Sequence, residues 1–138
     1  MAPSFRGARN GFLSITSATG GTVNLSSGLD NVQLSRSVAD LVVTTFGDND
    51  VVRIAGLRDA SITFSGHFAS TYEEKLSALL GHSTTTSWIY GPESTSNTRR
   101  KLSGSAILTD FTIGGSVDGK VDMSGTIACS GAITATTF

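Results

Sequence analysis

Only one cysteine, Cys129, occurs in the 138 residues, which excludes an internal disulfide and a cysteine-based zinc site. His67 and His82 are the two histidines, too isolated to form a metal pair, and are read as surface or interface residues. Charge is thin as well. Asp, Glu, Lys and Arg make up 15% of the chain, against about 25% in ordinary soluble domains. A net charge of −1 argues against a molecule built as a whole to bind nucleic acid. No apolar run approaches the ~18 residues of a membrane span. Arg6 and Arg9 near the start are not followed by the apolar stretch of a secretion signal, so the chain is expected to be made and folded in the cytoplasm.

Catalytic signatures are missing too. There is no G-x-S-x-G elbow for a serine nucleophile. The glycine pairs Gly20–Gly21 and Gly114–Gly115 match neither phosphate-cradling pattern. Asp48-Asn49-Asp50 lacks the following Gly and the distal Glu of a calcium loop and is read as a turn. No catalytic set, metal site or cofactor is therefore expected.

Ser, Thr and Gly fill the chain instead: 20, 18 and 16 residues. With 38% hydrophobic residues, enough apolar mass is present for one folded domain, and disorder is not expected. A polar but weakly charged surface suits either a β-rich domain, because Thr, Val and Ile favour strands, or a surface packed against copies of itself.

The periodicity is that of strands. Phe12–Thr16 and Thr22–Leu25 alternate across Ala18–Gly21 and predict a hairpin. Leu29–Ser35 alternates next, and polar Ser35–Asp40 is read as a connection. Leu41–Phe46 and Val51–Ile54 follow about a polar turn, and these runs do not alternate. They place apolar groups on both faces of an exposed hairpin over Asp40–Ala55, which needs a second surface to cover it, expected from another subunit. Ala60–Phe68 then alternates strictly, with Ile62 and Phe64 on one face and Ser61, Thr63 and Ser65 on the other.

One helix is predicted over Ser70–Leu80. Ser70 or Thr71 is its candidate cap, Leu76, Leu79 and Leu80 its apolar stripe, and Gly81 its stop. Ser87–Tyr90, Leu102–Ile113, Lys120–Ser130 and Ala132–Phe138 are further strands, the second and third pairing across Gly114–Gly119. Cys129 shares a face with Val121, Met123 and Ile127 and is read as a small buried hydrophobe. Arg99-Arg100-Lys101 is the only basic cluster, read as a solvated loop, a DNA contact or a salt-bridge partner for acidic residues of a neighbour. Three charges alone would give only weak, salt-sensitive DNA binding.

TTFGD, then RIAGLRDASITFSGHF, a short helix and WIYGP resemble the tail tube (major tail) protein of long-tailed bacteriophages. The closing SGSAILTDFTIGGSVDGKVDMSGTIACSGAITATTF is similar to that family's C-terminal half, so the likeness runs from about Leu29 to the last residue. It implies a mainly β, sandwich- or barrel-like domain over 12–138, flanked by one helix at about 70–80. A long hairpin at about 40–55 protrudes, and an arm over 1–11 precedes the domain.

It implies a structural role rather than catalysis. Six copies would close into a ring, and rings would stack into a hollow conduit for DNA. A tape measure protein would lie inside and a terminator at the end. The resemblance leaves open a flexible or contractile tail, a phage, a gene-transfer particle or a tail-like bacteriocin. Inter-subunit contacts are expected at Phe5, Leu41, Val43, Phe46, Asp48, Asp50, Val52, Ile54, Arg99 and Arg100. Candidate lumen-facing residues are Ser61, Thr63 and Ser65, or Asp122, Ser124 and Thr126. Another β-sandwich virion protein, for capsid decoration or adhesion, is the alternative.

Overall fold

Period-2 sequence dominates the chain, and in a computed structural model it forms one antiparallel sheet. The structure describes residues 7–17, 21–80, 85–95 and 97–138. The strands are β1 (Phe12–Ser17), β2 (Gly21–Asn24), β3 (Leu29–Val42), β4 (Arg53–His67), β5 (Thr86–Gly91), β6 (Arg100–Gly115) and β7 (Val121–Thr137). Among the described residues one α-helix, α1 (Ser70–Leu79), lies between β4 and β5, and a short 3-10 turn, Ala8–Asn10, precedes β1. Spatial order is β2-β1-β5-β6-β7-β4-β3.

That order makes β2 and β3 opposite edges, yet only Leu25–Gly28 connects them in sequence. A link of that length spans less than ~20 Å even when extended, so the sheet must curl until its two ends nearly meet. Its concave face holds the core. Leu13, Ile15, Val23 and Leu25 from one end pack with Ile62, Phe64, Met123 and Ile127 from the other, around a fully buried Trp88. Helix α1 contributes Leu76 and Leu79 to the same cluster. The expected mainly β, barrel-like domain with one flanking helix is therefore present.

Several boundaries differ from the sequence reading. Ser35–Asp40 is not a connection but part of the 14-residue strand β3, and Arg53–His67 is one strand of 15 residues. The polar run misled because β3 leaves the core there and is exposed on both faces. Lys120–Ser130 and Ala132–Phe138 likewise join into β7, which bulges at Gly131 with φ +81°. The helix is capped by neither Ser70 nor Thr71. Ala69, at φ −142° and ψ 139°, holds the N-cap position without a side-chain bond, and its carbonyl accepts the amides of Tyr72 and Glu73. Gly81 and the turn at Ala18–Gly20 lie outside the described residues.

Candidate functional site

Pairing between β4 and β7 runs from His67–Asp122 to Ser61–Ala128 and stops. β3 stays with β4 beyond that point through Val42–Arg53, and the Val43 amide still donates to the Val52 carbonyl at 2.8 Å. Residues 36–60 therefore form a two-stranded ribbon that leaves the sheet. Eight residues from Ser61 to Arg53, at ~3.3 Å each, carry it about 26 Å outward.

Its tip is a turn built by the sequence. Gly47 takes φ +97°, and Asp48 accepts from the Thr45 amide at 2.7 Å and the Thr45 hydroxyl at 3.1 Å. Asp48-Asn49-Asp50 thus shapes a turn, as expected. The Asp48 carboxylate is engaged within the tip, whereas Asp50 has no ion pair among the described residues.

Leu41, Val43, Phe46, Val52 and Ile54, all expected at contacts, sit on this ribbon. None is buried: Phe46 is 109% exposed and Val43, the most covered, is still 41% exposed. Leu57, at 88%, joins them and was missed because it lies between the expected hairpin, which ends at Ala55, and the alternating run that begins at Ala60. The Arg53–Asp40 ion pair, at 2.9 Å, is mostly in water and adds little. A lone two-stranded ribbon is marginal in water, and apolar groups on this scale mark an interaction surface.

The convex face of the sheet is the second surface. Register places Gln33, Thr63, Thr126 and Asp110 in one cross-strand row, and Asn31, Ser65, Ser124 and Thr112 in the next. The two sets of candidate lumen residues, Ser61–Thr63–Ser65 and Asp122–Ser124–Thr126, are thus adjacent halves of one polar face. Toward one end of this face Asp122 is 3.7 Å from His67 and 4.0 Å from Lys120, while Asp110 sits further along, in the Thr63–Thr126 row. Ser65 donates to Asp30 at 3.4 Å.

This face is bordered by two open strand edges. The outer edge of β3 pairs with nothing among the described residues. On β6, β5 reaches only Ala106, and beyond it Leu80, the residue after α1, bridges to Leu108.

Arg99, Arg100 and Lys101 are remote from the polar rows. Arg100 is ten residues along β6 from Asp110, about 33 Å of strand. The Lys101 ammonium lies 5.8 Å from the centre of the Phe138 ring, which packs edge-on against Phe12. Phe138 is docked, its amide donating to the Arg99 carbonyl at 3.0 Å. Cys129 is half-buried rather than fully buried, because it lies where β4 and β7 part. Burial, and secondarily Asp59, push its thiol pKa up, while Arg36 pulls the other way. Phe5 and His82 lie outside the described residues.

Among the described residues no group of three His, Cys, Asp or Glu could hold a metal ion, and no helix is long and apolar enough to cross a membrane.

Comparison with known proteins agrees with this geometry. The family described as phage tail tube protein matches residues 8–135. A chain of the virion of a native gene transfer agent particle superposes with a TM-score of 0.70 at 19% identity, covering 90% of this chain and 95% of that one. A chain from the tail of an empty gene transfer agent particle with C6 symmetry gives 0.70 at 18% identity, covering 91% and 95%. The SPP1 tail tube gives 0.76 at 11% identity, covering 96% and 80%. At these identities the likeness shows the fold. No curated protein sequence matches the chain.

Proposed function

Because the chain belongs to the phage tail tube protein family and so is a structural subunit of the virion tail, we propose that six copies close into a ring and that rings stack into a conduit for DNA. The observation that carries this reading is the polar face bordered by two open edges. The four strands β3, β4, β7 and β6 form a unit whose free β3 edge can continue onto the free β6 edge of the next copy. Closure then satisfies the backbone groups that would otherwise invite aggregation. The C6 symmetry of a similar tail supports six copies.

In such a ring the convex face lines the bore. Conduction requires that the wall not hold its cargo, and each Lys or Arg contact with phosphate releases counterions and adds affinity. Rows of Gln33, Thr63, Thr126, Asn31, Ser65 and Ser124, with Asp110 and Asp122, give a wall that is neutral to acidic. DNA passes without specific binding. Arg99 and Arg100 meet a neighbouring subunit instead, and Asp50 at the ribbon tip is a suitable partner.

Residues 12–138 act as one domain, and residues 1–11, with Phe5, form an arm that contacts an adjacent copy. The ribbon, through Leu41, Val43, Phe46, Val52 and Ile54, covers its apolar groups against an adjacent copy. A tape measure protein occupies the bore before DNA does, a terminator closes the tube, and assembly takes place in the host cytoplasm.

Electron microscopy of the purified protein tests the reading. Hexameric rings or long hollow tubes are expected; stable monomers or trimers at high concentration would instead fit a decoration or adhesion protein.

A further inference from the structure

Two apolar patches stay exposed at opposite ends of the same strands. One is the ribbon. The other is the β6–β7 turn, where Ile113, Val117 and Val121 are 44%, 102% and 47% exposed. The ends are opposite because β4 and β7 are antiparallel: His67 faces Asp122 beside the turn, and Ser61 faces Ala128 where the ribbon departs.

Between the departing ribbon and β7 opens a cleft of about 800 Å³, lined by Val38, Leu57, Arg58, Cys129 and Ile133 among others. Both walls are strand edges without a partner among the described residues, β4 before Ser61 and β7 after Ala128. Arg36 and Arg58 line the cleft without an ion pair among the described residues. At the turn, Lys120 is near Asp122, while Asp118 is exposed and has no ion pair among the described residues.

We infer that this cleft is the socket for the β6–β7 turn of a second copy in the adjoining ring. Val117 enters against Leu57 and Val38, and Asp118 faces Arg58 and Arg36. The inference rests on the tail tube reading and gives it a stacking contact. Joining two different patches makes a heterologous interface, which leaves an empty socket at one end of the stack and an unused turn at the other and so repeats without limit. Ribbon against ribbon would be isologous and would stop at two. Charge sign agrees: the turn offers the Asp118 carboxylate where the cleft carries two guanidinium groups, Arg36 and Arg58, against one carboxylate, Asp59. A cleft of this volume is within the ~300–1,000 Å³ of pockets that enclose a small ligand, enough to admit a tight turn.

The test is disulfide trapping in the full chain. Leu57→Cys and Val117→Cys are combined in a Cys129→Ser background, assembled, oxidised and run on a non-reducing denaturing gel. A ladder that continues past six copies is expected, with neither single variant going beyond a dimer. A ladder that closes at six would place the contact within a ring and overturn the socket. Normal tubes without a ladder would overturn it equally.

Charge reversal gives an independent readout. Arg58→Asp and Asp118→Arg should each raise the concentration needed for stacking about tenfold while leaving rings intact, and the double variant should restore stacking. Independent, additive losses would contradict the pairing. Unmodified chain that forms no tubes would defeat the tail tube reading itself, an outcome distinct from tubes that form and ignore these substitutions.

Discussion

Ser61 of β4 faces Ala128 of β7, and that pair is the last the two strands share. On one side of it lies a four-stranded unit with a buried concave face and a polar convex one. On the other side β4 leaves with β3 as an apolar ribbon, and β7 continues beside β6 alone. One divergence therefore produces both proposed assembly surfaces, the wall of the bore and the contact between copies.

Phe46→Ser separates folding from assembly. The side chain is fully in solvent in the single chain, so the change in unfolding free energy should stay within about 0.5 kcal/mol. Sedimentation and electron microscopy should nevertheless show tube formation lost or shifted to at least tenfold higher concentration.

Gly125→Ala tests the core beneath the polar face. A Cβ there would come 2.7 Å from the Phe64 ring and 2.8 Å from the Asp110 carbonyl. Overpacking of this kind costs about 1–3 kcal/mol, to be read from urea unfolding. Phe64→Leu in the same chain should recover part of the loss.

Cys129 makes stability fall at alkaline pH. Its thiol pKa is raised on folding, so the folded chain holds the proton more tightly than the unfolded chain. The contribution is complete below the unfolded value, near 9, and is lost as pH rises through the higher folded value. Cys129→Ser should flatten the decline that begins near pH 9. Tyr90, raised by burial, adds the same trend from about pH 10 upward. Alkylation of the folded thiol should be slower than that of a free cysteine at the same pH.

Thr63→Lys with Thr126→Lys tests the wall. Both positions are on the convex face and opposite each other in register, so the fold should be kept. Tubes of the variant should bind duplex DNA with an affinity that falls steeply with salt, and unmodified tubes should show no such binding.

What could be read beforehand followed from where each segment meets the core. The ribbon was visible because Val42–Val43 and Val51–Val52 break alternation, which a strand lying on a core does not do. Its length was hidden: Ser35–Asp40 is polar because it is wet on both faces, and wet strand and loop have the same composition. Ser61–Thr63–Ser65 and Asp122–Ser124–Thr126 were each legible as a polar strand face. Their union depends on register, which no local pattern encodes. Ile113 and Val121 were hidden for the opposite reason, since they continue an alternation whose core has already ended. Val117, apolar amid Gly, Ser and Asp in a turn, was the available signal.

The most direct measurement is a cryo-EM reconstruction of tubes assembled from the purified chain. The account predicts sixfold rings in which Gln33, Thr63, Thr126 and Asp110 face the bore and Phe46 is buried against another copy. A bore lined by Arg99, Arg100 and Lys101, or a ribbon still bare in the assembled tube, would contradict it.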